Sequence, residues 1–427
     1  MESSINWRDD AENAFAEERA TVADVKLWVG GQLATRHRFD GRRGEETVDV
    51  LTLPLWGLVN GLVRDWWSIF GGRDREFLLK TYREGALVPD LRFQFDGMSF
   101  KTWADECRYQ NPAVAFDGCP PEVLSRSEAE TRLQAFVGAV VARLADKGHE
   151  KADAAVRWRQ VTESRQDPEE SAFCEAAGAL GLDPYRIDDK STDAILEAAT
   201  IFSGEPLLEF LAGFRKNNEQ SPGHCIEWLR QAENRAPAAS LLGDLAEIGA
   251  SAAAEAPARV NEPPWALGYR RARSVRKILH RHPGSPFGSS SAVAARLGAS
   301  RSFEPAPTIE GLRAVRYDDQ DGIHVHLSES SSTKHADASQ KFSLARAIGD
   351  AVCYPEPSVA PVNELKEAVR QASGRAFAAE LLAPIDEVAA MRADGKSDID
   401  IAGAFGVSAK VIAHQIENAD RIRDSQI

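Results

Sequence analysis

Gln340-Lys341-Phe342-Ser343-Leu344-Ala345-Arg346-Ala347-Ile348-Gly349-Asp350 lies inside a stretch, residues 339–354, whose apolar spacing predicts one helix. Arg346 and Asp350 fall i, i+4 on one face of it, two charged groups among alanines and large aliphatics. Working outward, Asp321-Gly322-Ile323-His324-Val325-His326-Leu327 reads as a turn and a strand. A helix is expected near 364–382, and a helical hairpin at 397–418. In the hairpin, Ser397 to Asp400 forms a capping box and Gly406-Val407-Ser408 makes the turn, with Ser408 as the next N-cap.

Three motifs in this order resemble the ImmA/IrrE family of bacterial zinc metallopeptidases over roughly residues 265–420. They are the helix quoted above, Ala376-Phe377-Ala378-Ala379-Glu380-Leu381-Leu382-Ala383-Pro384, and Ile401-Ala402-Gly403-Ala404-Phe405-Gly406-Val407-Ser408 followed by Val411 to Asn418. The resemblance implies a zincin-like α+β domain whose first helix carries His-Glu-x-x-His, with two imidazoles ligating zinc and the glutamate acting as general base. This sequence departs at each position: Arg346 stands for the first His, Ala347 for the Glu and Asp350 for the second His. The family's third ligand is an acid upstream of the Phe-Ala-Ala motif, where this chain reads Gln371, Ala372 and Ser373. An arginine offers no lone pair to a metal and keeps its proton. The expectation is a pseudo-peptidase with no catalytic residue and no cofactor, in which Arg346 and Asp350 either pair across the zinc position or both face solvent.

An atypical zinc endopeptidase is the alternative. His324 and His326 share one strand face, His335 follows, and Asp350 would complete a displaced site; against this stands a plain polar strand face. His324, His326 and Glu380 are also candidates for groove or partner contacts, with Glu380 otherwise a helix-surface residue.

Upstream, Trp265 to Leu279 predicts a helix whose Arg270, Arg271, Arg273, Arg276 and Lys277, together with Arg281, form the densest positive run in the chain, with no acid among residues 263–303. It is either solvated, docked on the protein's own acids, or a contact for nucleic acid or an acidic partner. Residues 249–264 are small and proline-bearing and read as a linker. Between 121 and 248 the signals are helical, with a capping box at Ser127-Glu128-Ala129-Glu130, Gly181 ending a helix and Asp183-Pro184 making a turn. A helix-turn-helix contact with DNA is disfavoured there by the many carboxylates. Residues 1–120 are β-rich: Gly30-Gly31 and Asp96-Gly97 mark hairpins, and Trp56, Leu62, Trp66, Trp67, Ile69 and Phe70 form an aromatic helix stripe that reads as core. The expected order is thus a β-rich region (1–120), a helical region (121–248), the linker, and an ImmA/IrrE-like pseudo-peptidase domain (265–427) with a helix-turn-helix-like end, an α+β chain overall.

The 427 residues suffice for two to three domains, and 43% hydrophobic with 27% charged residues is an ordinary globular composition. No apolar run approaches the roughly 18 residues of a spanning helix, so no membrane partner is expected. The start, Met1 to Asp10, has neither a basic nor an apolar leader segment, and the five scattered cysteines fit neither a disulfide framework nor a zinc ribbon. A cytoplasmic address follows as an expectation. With 51 basic against 65 acidic residues, the net charge of −14 disfavours wholesale coating of nucleic acid. Relatives in the family act on repressors or antitoxins in stress responses and mobile-element control. The resemblance therefore implies a non-catalytic regulatory or interaction protein with a protein partner, in bacterial stress response, phage defence or mobile-element control. A DNA-binding transcriptional regulator is the third possibility.

Overall fold

The computed structural model describes residues 1–9, 15–41, 44–110, 113–214, 222–235, 241–259, 262–279, 285–299, 306–329, 336–356 and 358–424. The chain is α+β and forms two compact units, Met1–Asp189 and Lys190–Ile427. The division falls inside the stretch that composition marks as one helical region.

In unit 1, β1 (Glu2–Trp7), β2 (Val22–Val29), β3 (Gln32–Leu33) and β6 (Leu51–Pro54) form one antiparallel sheet, reached through the short helix α1 (Ala16–Ala20). Gly30 and Gly31 both take positive φ, as the tight turn between β2 and β3 requires. β4 (His37–Gly41) and β5 (Gly44–Val48) join β10 (Cys107–Gln110) and β11 (Ala113–Phe116) in a second sheet. A third contains β7 (Glu76–Leu78), β8 (Asp90–Phe95), β9 (Ser99–Asp105) and β12 (Cys119–Ser125). Leu91, Phe93 and Phe95 alternate inward along β8, as the period of two predicts.

The aromatic stripe is core, divided between α2 (Trp56–Arg64) and α3 (Trp66–Gly71) rather than lying on one helix. Phe70 packs on Phe95 and Phe100 of the third sheet, and Trp66 meets Trp158 edge-on at 5.0 Å between ring centroids. Then come α4 (Arg126–Asp146), α5 (Asp153–Ser164), α6 (Pro168–Leu180) and a 3₁₀ turn at Pro184–Arg186. The capping box of α4 is Ser125 with Glu128, two residues earlier than the expected pair, because the chain turns helical directly after β12.

Unit 2 opens with α7 (Asp189–Ala199), α8 (Gly204–Ala212) and α9 (Pro222–Arg235). The first part of the expected linker is helical instead: α10 (Leu245–Glu255) buries Leu245, Ile248, Gly249 and Ala252, since an alanine-rich run without proline favours helix. Next are α11 (Pro264–Ile278), α12 (Ser290–Ala295), β14 (Ala314–Asp318), β15 (Ile323–Leu327), α13 (Ala336–Cys353), β16 (Ala360–Val362) and α14 (Val369–Leu382). With β13 (Leu241–Leu242) the strands form an antiparallel sheet ordered β13-β15-β14-β16. The last helices are α15 (Ile385–Ala393), α16 (Asp398–Phe405) and α17 (Ala409–Asp424).

Helix α13 is buried along nearly its whole length, packed on β14, β15 and β16 and on α10, α11 and α14. Close helix approach needs small residues. A Cβ on Gly268 of α11 would lie 2.4 Å from the Ser373 carbonyl oxygen of α14, and one on Gly349 of α13 would lie 2.8 Å from the Phe377 side chain. Gly268→Val is therefore expected to lower stability by about 2–3 kcal/mol, read as a fall in the urea midpoint at constant m. Gly403→Ala, where a helical Cβ meets nothing within 4 Å, is expected to raise it by about 0.5–1 kcal/mol.

Candidate functional site

The helical period of α13 brings Arg346 and Asp350 to the interior, and both are buried. They do not pair across the gap, and neither faces solvent. Each is taken by other groups. The Asp350 carboxylate receives Arg370 Nε at 2.8 Å on Oδ1 and Arg370 Nη2 at 2.7 Å on Oδ2, a bidentate clamp from α14. Arg316 Nη1, from β14, adds a third bond to Oδ2 at 3.1 Å.

Arg316 has no exposed side-chain surface, and all five of its N–H groups are used. Nε and one Nη2 hydrogen go to Asp318, two residues along the same strand face. The others reach Asp350 and the backbone carbonyls of Tyr354 and Glu356, just past the end of α13. The Arg370 guanidinium lies 4.7 Å from the Tyr354 ring centroid and completes the enclosure.

Arg346 turns toward α14 and the end of β16. Its Nη2 donates to the Asn363 carbonyl and, at 2.9 Å, to Gln371 Oε1. Gln371 therefore serves as an acceptor for the arginine. Its Nε2 donates onward to Pro361 O and Glu209 Oε2, each at 2.7 Å. Glu209, on α8, is fully buried and also accepts the Arg370 backbone N–H at 3.1 Å. Burial, reinforced by Glu205, pushes the Glu209 carboxyl up to about 7. Burial, with Arg375 adding to it, brings the Arg346 guanidinium down to about 9. Arg346 Nε is buried with no partner among the described residues.

The donor set does not fit a zinc ion. Asp350 has both oxygens engaged by guanidinium groups, and the neighbouring Arg346 is a cation with no lone pair to offer a metal. The displaced site fails on strand parity. Arg316 pairs with Val325 across β14 and β15 and reaches Asp350 on the α13 side of the sheet. His324 and His326, of opposite parity to Val325, lie on the other face with Tyr317, whose ring stacks on both at 4.6 and 5.0 Å. Both histidines are buried, His324 Nε2 beside Asp319 Oδ1 at 3.1 Å. Burial lowers His326 to about 4, so its ring is neutral near pH 7. His335 lies outside the described residues. No group of three or more His, Cys, Asp or Glu side chains is placed to hold a metal among the described residues.

The remaining candidates are tied inside unit 2. Glu380 is buried rather than at the helix surface, accepting from Arg273 Nε at 2.7 Å and from the Ile385 N–H at 2.9 Å. The basic run on α11 docks on its own unit. Arg271 and Arg276 are buried on backbone carbonyls of Ala256, Val352, Leu381 and Ser285, Arg270 binds Glu262, and Lys277 binds Glu255. Arg281 lies outside the described residues. Arg316, Arg370 and Glu209 were not predicted. Two signals mark them in retrospect: Arg316 and Asp318 alternate in an otherwise apolar strand, and Glu209 is a lone acid between Leu208 and Phe210.

Comparison with protein-family models, with curated proteins and with solved structures yields no match to the chain.

Two outcomes follow from this network. Arg370→Ala strips the bidentate partner from a buried carboxylate and is expected to cost about 3–5 kcal/mol in urea denaturation. Glu209, with its carboxyl raised above the ordinary value of 4.5, binds its proton more tightly when folded, so its contribution is complete below pH 4.5 and is lost as pH rises through about 7. Stability measured across that window should fall more steeply in the native chain than in Glu209→Gln, by on the order of 2–3 kcal/mol in all.

Proposed function

We propose that the chain is a non-catalytic regulatory or protein-interaction protein, its second unit a degenerate ImmA/IrrE-like metallopeptidase module acting in bacterial stress response, phage defence or mobile-element control. The observation that carries this reading is the clamp on Asp350: where the family holds zinc on two imidazoles, this chain seats a carboxylate between Arg316 and Arg370. The Ala347 methyl group at the general-base position takes no proton, and Gln371 at the third-ligand position serves Arg346. A module filled by its own side chains keeps its outer surface for a partner while offering no centre for hydrolysis.

A nucleic-acid role receives little support from the basic helix, because Arg271 and Arg276 are buried and Arg270, Arg273 and Lys277 are matched by Glu262, Glu380 and Glu255. The hairpin α16 to α17 is likewise tied inward. Gln415 Nε2 donates to the Ala383 carbonyl at 2.7 Å, and Lys341 Nζ lies 3.4 Å from the Phe405 carbonyl at the end of α16.

Elemental analysis of purified protein, run beside a peptidase assay with and without chelator, tests the reading. Zinc well below one per chain, with no chelator-sensitive cleavage, is expected. Stoichiometric zinc lost together with proteolysis on chelation would overturn it. Affinity capture from the source cells followed by mass spectrometry is expected to return a partner whose retention is indifferent to chelator.

A further inference from the structure

Unit 1 holds a cavity of about 370 Å³ between α2, α5 and the 3₁₀ turn at Pro184–Arg186. That volume lies at the lower end of the range for small-molecule sites, about 300–1,000 Å³. Beside Val156 and the Tyr185 ring, its lining is polar and combines two kinds of chemistry. Arg64, Arg157 and Arg186 bring guanidinium groups, while Asn60, Gln160 and Asp153 bring amides and a carboxylate.

One of the arginines is structural. Arg157 is clamped by Asp183 through two bonds of 2.9 and 2.7 Å and lies 4.9 Å from the Tyr185 ring centroid. Tyr185 is itself fixed, its hydroxyl bonded to Trp67 Nε1 and Ser164 Oγ at 3.0 Å each. This makes a rigid wall. The other two arginines are more open: Arg64 is exposed, its Nε 3.6 Å from Asp65 and its guanidinium 5.9 Å from the Tyr82 ring centroid, and Arg186 has no side-chain partner among the described residues. The side-chain amides of Asn60 and Gln160 are also unpartnered among the described residues. Guanidinium forks match the oxygens of a phosphate, whereas amides and a carboxylate accept from and donate to hydroxyl groups. A bare anion would gain nothing from Asp153, and an apolar ligand would leave the arginines, amides and carboxylate of the wall unsatisfied.

We propose that this cavity binds a small phosphorylated, hydroxyl-bearing molecule of the sugar-phosphate or mononucleotide class. Arg64 and Arg186 hold the phosphate, and Asp153, Asn60 and Gln160 hold the hydroxyls. The site lies wholly within unit 1 and is independent of the function proposed for unit 2.

Isothermal titration calorimetry on the full chain tests it, with ribose 5-phosphate, glucose 6-phosphate and adenosine 5′-monophosphate as probes and with ribose and inorganic phosphate as the separate halves. At least one phosphorylated probe is expected to bind, with each half weaker by about tenfold or more. Arg186→Gln should weaken that probe by about tenfold and Arg64→Gln/Arg186→Gln further, the far-ultraviolet circular dichroism unchanged because both side chains are exposed. Asp153→Asn should weaken the sugar phosphate and leave inorganic phosphate unaffected. The proposal is overturned if no phosphorylated probe binds at millimolar concentration, if ribose binds as well as its phosphate, or if the double variant binds as the native chain does.

Discussion

Unit 2 depends on a buried carboxylate. Asp350 lies in the middle of a buried helix, and an unpaired charge there would cost several kcal/mol. Arg370 and Arg316 supply three charge-assisted bonds, and in doing so fix α14 and β14 against α13. The same constraint propagates. Arg316, wholly buried, must itself be satisfied, and it is, by Asp318 and by the carbonyls of Tyr354 and Glu356 in the segment just past α13. Gln371 then joins Arg346 to Glu209, bringing α8 into the same bonded set.

Much of the local structure was legible in the sequence because it is set by short-range chemistry. The Gly30-Gly31 and Asp96-Gly97 turns, the inward period of β8, the aromatic core of α2 and α3, and the Ser397 capping box follow from backbone freedom, alternation and hydrogen bonding within a few residues. The partners of Arg346 and Asp350 were not legible. Periodicity says that the two share a helix face. Which side chain from β14 or α14 meets each is decided by tertiary packing, and the next link in the network, Gln371 to Glu209 on α8, spans 162 residues of sequence. The basic run left three alternatives open for the same reason: the sequence does not decide between a solvated face, docking and an external contact, which is settled only when the carbonyls and carboxylates of α10, α13 and α14 are placed against it.

Charge in this chain is therefore better read by burial than by sum. The −14 total describes the molecule seen from solution, whereas the acid-free stretch 263–303 describes a helix whose arginines terminate other helices. Arg271 meets the last carbonyls of α10 and α13, and Arg276 those of α14, each at an end where the helix leaves acceptors unpaired and the dipole favours a cation. The bonds from Arg271 and Arg276 to these carbonyls do the work that caps would otherwise perform.

On the reading proposed for unit 2, a filled centre is also hard to empty. Replacing Asp350 by histidine leaves Arg316 and Arg370 without their carboxylate, two buried cations sharing one space. Replacing Arg346 leaves Gln371 Oε1 with only the Asn363 N–H to accept, and a void beside Glu209. Each single step toward a metal site thus costs stability before any ligand is assembled, because breaking a buried pair is far more expensive than exchanging it whole. At least three positions on α13, and their partners on β14 and α14, would have to change together. A network with that property is maintained by folding alone. Any selection for partner binding then acts on the surface, where substitutions away from such buried groups change stability by only about 0.5 kcal/mol.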